Sequence, residues 1–239
     1  MVDFSKKDIS TIRLNSFHPL CTTDIGLRAV NQLGFLPFID ASCRREPDFE
    51  NEYPSITALC RQGTFAPKLF PNDIIVYITV KGKWLTNYDH FRLIAILVVI
   101  DKKQTHYSAA AWYRNYNINL PSNCMVEDNP PYQFHETAGN YDKITEIRKF
   151  LNHNEDKQKL IGNRRVEIWN NDYLEKSIKW GDFIITKPIF TELTNPPILT
   201  EENMRTIFGR VPKTRNPNII TKEQLKNLAT YADINFIYE

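Results

Sequence analysis

The chain has 239 residues, a net charge of +2 and 42% hydrophobic residues, enough apolar material for one main domain with a sizeable core. Its longest apolar run, LIAILVVI at residues 93–100 between Arg92 and Asp101, falls short of the roughly 20 residues a membrane-spanning helix needs, and MVDFSKKDIS has no signal-peptide core. The chain reads as a soluble, cytoplasmic protein with no membrane partner, and its charge is too small to diagnose nucleic-acid binding without knowing how it is distributed.

Taken in order, residues 2–14 and the segment DIGLRAVNQLGF, with Asp24 as N-cap and Gly34 as C-cap, suggest a short amphipathic helix near the start. A loop follows in which three arginines, Arg44, Arg45 and Arg61, precede the first lysine, Lys68. Arginines in that proportion favour planar, bidentate recognition of phosphate, carboxylate or a base edge. They also have acids to pair with nearby, Glu46, Asp48, Glu50 and Glu52, and both readings stay open.

DIIVYITV (73–80) and LIAILVVI (93–100) have the β-branched composition and length of two central strands, joined as an antiparallel pair by the aromatic linker 81–92. HYSAAAWYRNY (106–116) reads as a helix capped by Thr105, and residues 120–139 as a proline-rich loop. YDKITEIRKFLN (141–152) carries a helical apolar stripe. VEIWN (166–170) and DFIITKPIF (182–190) read as strands, the second near an edge because of Pro188. Thr200 with Gly209, and Thr221 with Gln224, bound two C-terminal helices.

No Walker loop, Rossmann fingerprint, nucleophile elbow or zincin helix occurs. The four cysteines, Cys21, Cys43, Cys60 and Cys124, are too scattered for a zinc turn, so no metal and no cofactor are expected. Basic residues gather in three places: around Arg44, Arg45, Arg61 and Lys68; at Arg164 and Arg165; and at Arg210, Lys213 and Arg215. They track a phosphate backbone only if they converge in space. Aromatic side chains suited to stacking a base are Trp84 and Tyr88 in the hairpin linker and Trp112 on the following helix, with Trp84 the better ligand candidate because its neighbours are polar. Trp112 and Tyr113 point in different directions on a helix, so one of them belongs to the core. An enzymatic alternative rests on Glu46 and Asp48, one of which, buried against an apolar wall, would serve as a general base or stabilise a cationic sugar.

Several segments together carry a family resemblance: Cys43-Arg44-Arg45-Glu46, Tyr53-Pro54-Ser55-Ile56, Cys60-Arg61, Phe65-Ala66-Pro67-Lys68 and Asn72-Asp73-Ile74-Ile75-Val76-Tyr77, then Leu93 to Ile100 and His106 with Ala110 and Trp112. Over residues 38–125 the chain resembles the PUA-like group of EVE, YTH and ASCH domains, and more closely the nucleotide-modification-associated domains. The strand-entrance glycine usual there is replaced by Asn72-Asp73. The resemblance implies an α+β fold, a PUA-like mixed β pseudo-barrel with helices packed around it. It would form one compact unit over 1–239, with the core at about 38–190 and a helical extension at about 191–239.

It also implies binding of DNA carrying modified bases, in phage DNA modification or anti-phage defence, with RNA open as a partner. Arg44, Arg45, Arg61, Lys68, Trp84, Tyr88, His106 and Trp112 are then the expected nucleic-acid contacts. A DNA glycosylase using Glu46 and Asp48, and a protein-interaction module, are the alternatives.

Overall fold

The computed structural model describes residues 11–22, 26–27, 30–31, 34–40, 46–121 and 174–234. The helix expected at 141–152, the strand at 166–170, the proline-rich loop past Pro121, and Arg44, Arg45, Arg164 and Arg165 lie outside them.

Among the described residues seven strands form a mixed sheet in the order β2-β5-β4-β3-β1-β7, with β6 paired to the beginning of β4. They are β1 (Ile12–Phe17), β2 (Ser55–Thr57), β3 (Ile74–Thr79), β4 (Phe91–Lys103), β5 (Phe183–Thr191), β6 (Ile198–Leu199) and β7 (Asn218–Ile220). Helices among the described residues include α1 (His106–Asn115), α2 (Leu174–Lys179), α3 (Glu201–Phe208) and α4 (Lys222–Tyr231). The β1–β3 pair is parallel and the other pairs are antiparallel. The result is an α+β fold whose sheet curls into a half-barrel.

The two strands expected at 73–80 and 93–100 are β3 and β4, antiparallel with Ile74 opposite Val98 and Tyr77 opposite Ala95. β4 is buried from Phe91 to Val99 because both faces of the sheet are covered, which is why its sequence from Leu93 is a continuous apolar run. On one face, Ile12, Leu14, Ile74, Val76, Ile78, Leu93 and Ile96 pack with Met204, Ile207, Leu225 and Leu228 of α3 and α4. On the other, Phe17, Ile75, Tyr77, Leu97 and Val99 pack with Phe38, Ile39, Phe49, Phe65 and Leu69. These last five belong to the crossover between β1 and β3. It reaches across the sheet far enough to add β2 beyond β5, Ser55 opposite Ile185.

Residues 12–14 are strand, where a helix was expected to extend. Ile12 and Leu14 face the helix-side core while Arg13 and Asn15 face away, a period of two in a stretch too short and too polar to stand out. Residues 26–27 and 30–31 are helical, and Gly34 sits at φ +69°, as a C-capping glycine does.

β5 is an inner strand at its start, between β2 and β4. Among the described strands its residues 187–191 have only β4 beside them, and Pro188 lies in that half, opposite Leu97, where a missing N–H breaks no ladder that the described strands form. Helices α1, α3 and α4 each begin with a reciprocal capping box: Thr105 with Ser108, Thr200 with Asn203, and Thr221 with Gln224. Gly209 ends α3 at φ +74°. Asn72, at the strand entrance, holds φ +73°, a left-handed backbone that asparagine tolerates better than most residues.

Candidate functional site

The expected contact residues divide between two regions. The first runs along β1. Arg13, on the face away from α3 and α4, donates from Nη2 to the carbonyl of Lys68 at 3.2 Å. Two residues on, about 7 Å along a strand, Asn15 accepts from Nη2 of Arg61 at 2.6 Å. The same nitrogen reaches the Ser16 carbonyl at 3.3 Å, and Nη1 of Arg61 donates to the Arg215 carbonyl at 2.6 Å. Arg61 holds φ +54°, a left-handed backbone uncommon for a side chain of this size, and its guanidinium is fixed by these three neutral acceptors.

Two of the basic groups seen in the sequence thus meet in space. Arg61 is bonded to the segment that carries Lys213 and Arg215, and Arg13, which sequence reasoning overlooked, ties the Lys68 backbone to the same strand. The ion pairs among the described residues are Lys81–Glu201, Lys102–Asp182, Lys103–Asp101 and Arg205–Glu201. Arg13, Arg61, Lys68, Lys213 and Arg215 take part in none of them, so their charge is not neutralised by a described carboxylate. The alternation Ile12-Arg13-Leu14-Asn15 was the available clue to Arg13.

The second region lies at the other edge of the sheet, where the loop before β2 meets α1. Glu46 and Asp48 are buried at 5% and 4% exposure. Glu46 accepts a hydrogen bond from the Thr57 hydroxyl, which itself accepts from the Leu59 N–H at 3.2 Å. Tyr113 is fully buried, its hydroxyl donating to the Tyr53 carbonyl at 2.7 Å. Burial first, and then the charge of Asp48, push that phenol well above its ordinary pKa, against a hydrogen bond with Ser55. Beside it, buried His106 stands edge-on to Phe183 with ring centres 5.3 Å apart. Half-buried Trp112 packs between Tyr53 at 5.5 Å and Tyr116 at 4.7 Å, while Tyr113 is the core partner of the adjacent pair.

Trp84 belongs to neither region. Its exposure is 6%, its indole N–H donates to the Val80 carbonyl at 2.7 Å, and it packs in the crossover-side core. Gly82 lies flat against the ring, and a Cβ there would come within 2.4 Å of it. The polar neighbours that recommended Trp84 as a ligand surround the loop, while the indole itself turns inward. Tyr88, 46% exposed, rests on His90 at 5.1 Å. The Val80 N–H bonds to the Phe17 carbonyl at 3.0 Å, so the hairpin begins at the end of the sheet where β1 finishes.

Cys21 is a buried free thiol whose pKa burial raises to about 11, an inert packing group at neutral pH. Among the described residues no cluster of three or more histidine, cysteine or acidic side chains is arranged to hold a metal, and no helix is long and apolar enough to cross a membrane. No protein-family model, curated protein or solved structure matches the chain.

Proposed function

We propose that this protein binds nucleic acid along the basic row beside β1 and recognises modified bases in DNA, as a PUA-like reader in phage DNA modification or in defence against it. The observation that carries the reading is the hydrogen bond from Arg61 to the carbonyl of Arg215, 154 positions away, which brings two separate basic segments together. Cations along a strand that no described carboxylate pairs with suit a phosphate backbone, where the favourable term is release of condensed counterions. Tyr88, exposed on the hairpin that starts where β1 ends, is the aromatic we assign to stacking a base beside that row. An electrophoretic series with plain and hypermodified DNA tests both parts. Tighter binding to modified DNA is expected, and equal, weak binding to every substrate would remove the base-reading part.

A second reading, excision of a modified base, draws on the buried Glu46–Asp48 pair beside Tyr113. A carboxylate in an apolar surround can stabilise a cationic sugar or activate water against an extruded nucleotide. Incubation with phage DNA would then release free base, and Glu46→Gln and Asp48→Asn would abolish the release. Full turnover in both variants would place the chemistry elsewhere.

A further inference from the structure

The segment Lys213–Asn216 has an arrangement that the charge pattern alone does not reveal. Its four successive carbonyls all accept hydrogen bonds from side chains of the protein. Asn218 Nδ2 donates to Lys213 O at 2.7 Å and to Asn216 O at 3.2 Å, Ser16 Oγ donates to Thr214 O at 2.7 Å, and Arg61 Nη1 donates to Arg215 O at 2.6 Å. A trans peptide unit is planar, with N–H opposed to C=O, so a carbonyl turned toward the protein sends the next residue's N–H away from it. The N–H groups of Thr214, Arg215 and Asn216 therefore face outward, and the fourth position in the series is Pro217, which has none. Among the described residues none of those three N–H groups donates a hydrogen bond.

We infer that residues 213–216 form a phosphate-binding loop, with Ser16, Arg61 and Asn218 as the positioning residues that hold its carbonyls inward. Successive N–H groups turned away from the protein present a partly positive surface suited to anionic oxygens. The exposed side chains of Lys213 and Arg215 stand on the loop itself, and neither forms an ion pair with a described carboxylate. The ligand chemistry is a phosphate oxygen, supplied by a phosphodiester backbone or by a free phosphate. This deepens the nucleic-acid reading and rests on it for the phosphodiester source.

The test is amide NMR on the full chain, titrated separately with inorganic phosphate, with a short oligothymidylate, and with chloride at matched ionic strength. Saturable shifts of the Thr214, Arg215 and Asn216 amides with phosphate and with oligothymidylate, but not with chloride, are expected. Asn218→Ala, which releases two of the four carbonyls, should weaken phosphate binding about tenfold, equivalent to about 1.4 kcal/mol. Shifts with inorganic phosphate and no binding of the oligonucleotide would keep the loop and overturn the nucleic-acid reading. Oligonucleotide binding that leaves these amides unmoved would keep the reading and overturn the loop. No shift with any titrant, or with chloride as much as with phosphate, overturns the loop outright, and an unchanged affinity in folded Asn218→Ala overturns the positioning role.

Discussion

Arg92 donates its Nε–H to Nε2 of His90 at 2.9 Å, and both side chains are buried. A guanidinium is always protonated, so the imidazole nitrogen it meets must carry a lone pair. His90 is thereby held neutral, with Nδ1 facing the Tyr88 carbonyl at 3.0 Å and the Thr86 hydroxyl at 3.2 Å. Arg92 also bonds Asn195 Oδ1 at 3.1 Å, the Pro196 carbonyl at 2.7 Å and the Trp84 carbonyl at 3.2 Å. One buried cation fastens the β3–β4 hairpin and the segment before β6 to the start of β4, using neutral acceptors.

Arg92→Lys should therefore destabilise the fold, although charge is kept. A lysine ammonium cannot reach four acceptors spread around a planar fork, and those left behind are buried. A loss of about 2–4 kcal/mol in denaturant unfolding is expected. A change within about 0.5 kcal/mol, the range of ordinary surface substitutions, would show that the network is not holding these segments.

The same pair sets a pH dependence. Burial lowers the pKa of His90; the Tyr88 carbonyl opposes this, the Arg92 charge adds to it and Asp89 opposes it again. The unfolded chain takes up a proton at this histidine near pH 6.5, the folded chain only at lower pH. Between those values the unfolded state holds more protons, so stability falls as pH is lowered through the window and is unaffected by this group above it. His90→Gln, whose amide oxygen still accepts from Arg92, should lose this part of the slope in urea midpoints measured from about pH 8 to about pH 5. Identical slopes would refute the assignment.

Gly82→Ala should cost about 1–3 kcal/mol, the range for overpacking a rigid neighbour. The added methyl would stand 2.4 Å from Trp84 Cζ2 and 2.7 Å from Cε2, and the indole is tied to Val80 by its N–H. A red-shifted tryptophan emission should accompany the loss, and an unchanged spectrum and midpoint would mean the ring has room to move.

The elements legible in the sequence are those that repeat one physical signal over many residues. β3 and β4 are β-branched runs buried on both faces, and α1, α3 and α4 carry capping residues at both the right type and the right spacing. β2 and β7, three residues each, and β6, two, carry no such repetition and are strands only because a neighbour pairs with them. β1 was obscured by Arg13, Asn15 and Ser16, the residues that build the basic face. The meeting of Arg61 with Arg215 depends on the crossover returning to β1, a long-range contact that spacing along the chain does not encode. Trp84 shows the reverse difficulty, since polar neighbours in sequence say nothing of where an indole packs.

At the second region, Thr57→Val should destabilise by about 1–3 kcal/mol, because the hydroxyl between Glu46 and the Leu59 N–H is removed from a buried place. Thr57→Ser, which keeps the hydroxyl, should recover most of it. Equal losses in the two variants would assign the effect to the missing methyl and leave the carboxylate's bond without weight.

The central claim, that cations along β1 and the 213–216 loop meet a phosphate backbone, is tested most directly by fluorescence anisotropy of a labelled single-stranded DNA across a salt series. The comparison is wild type against Lys68→Ala/Lys213→Ala/Arg215→Ala, three exposed side chains whose removal leaves the core untouched. Wild type should bind with a steep inverse dependence on salt. The variant should bind more weakly, with a log–log slope shallower by about 2, from about 0.7 per lost single-strand phosphate contact. The same slope and affinity in both proteins would contradict the claim.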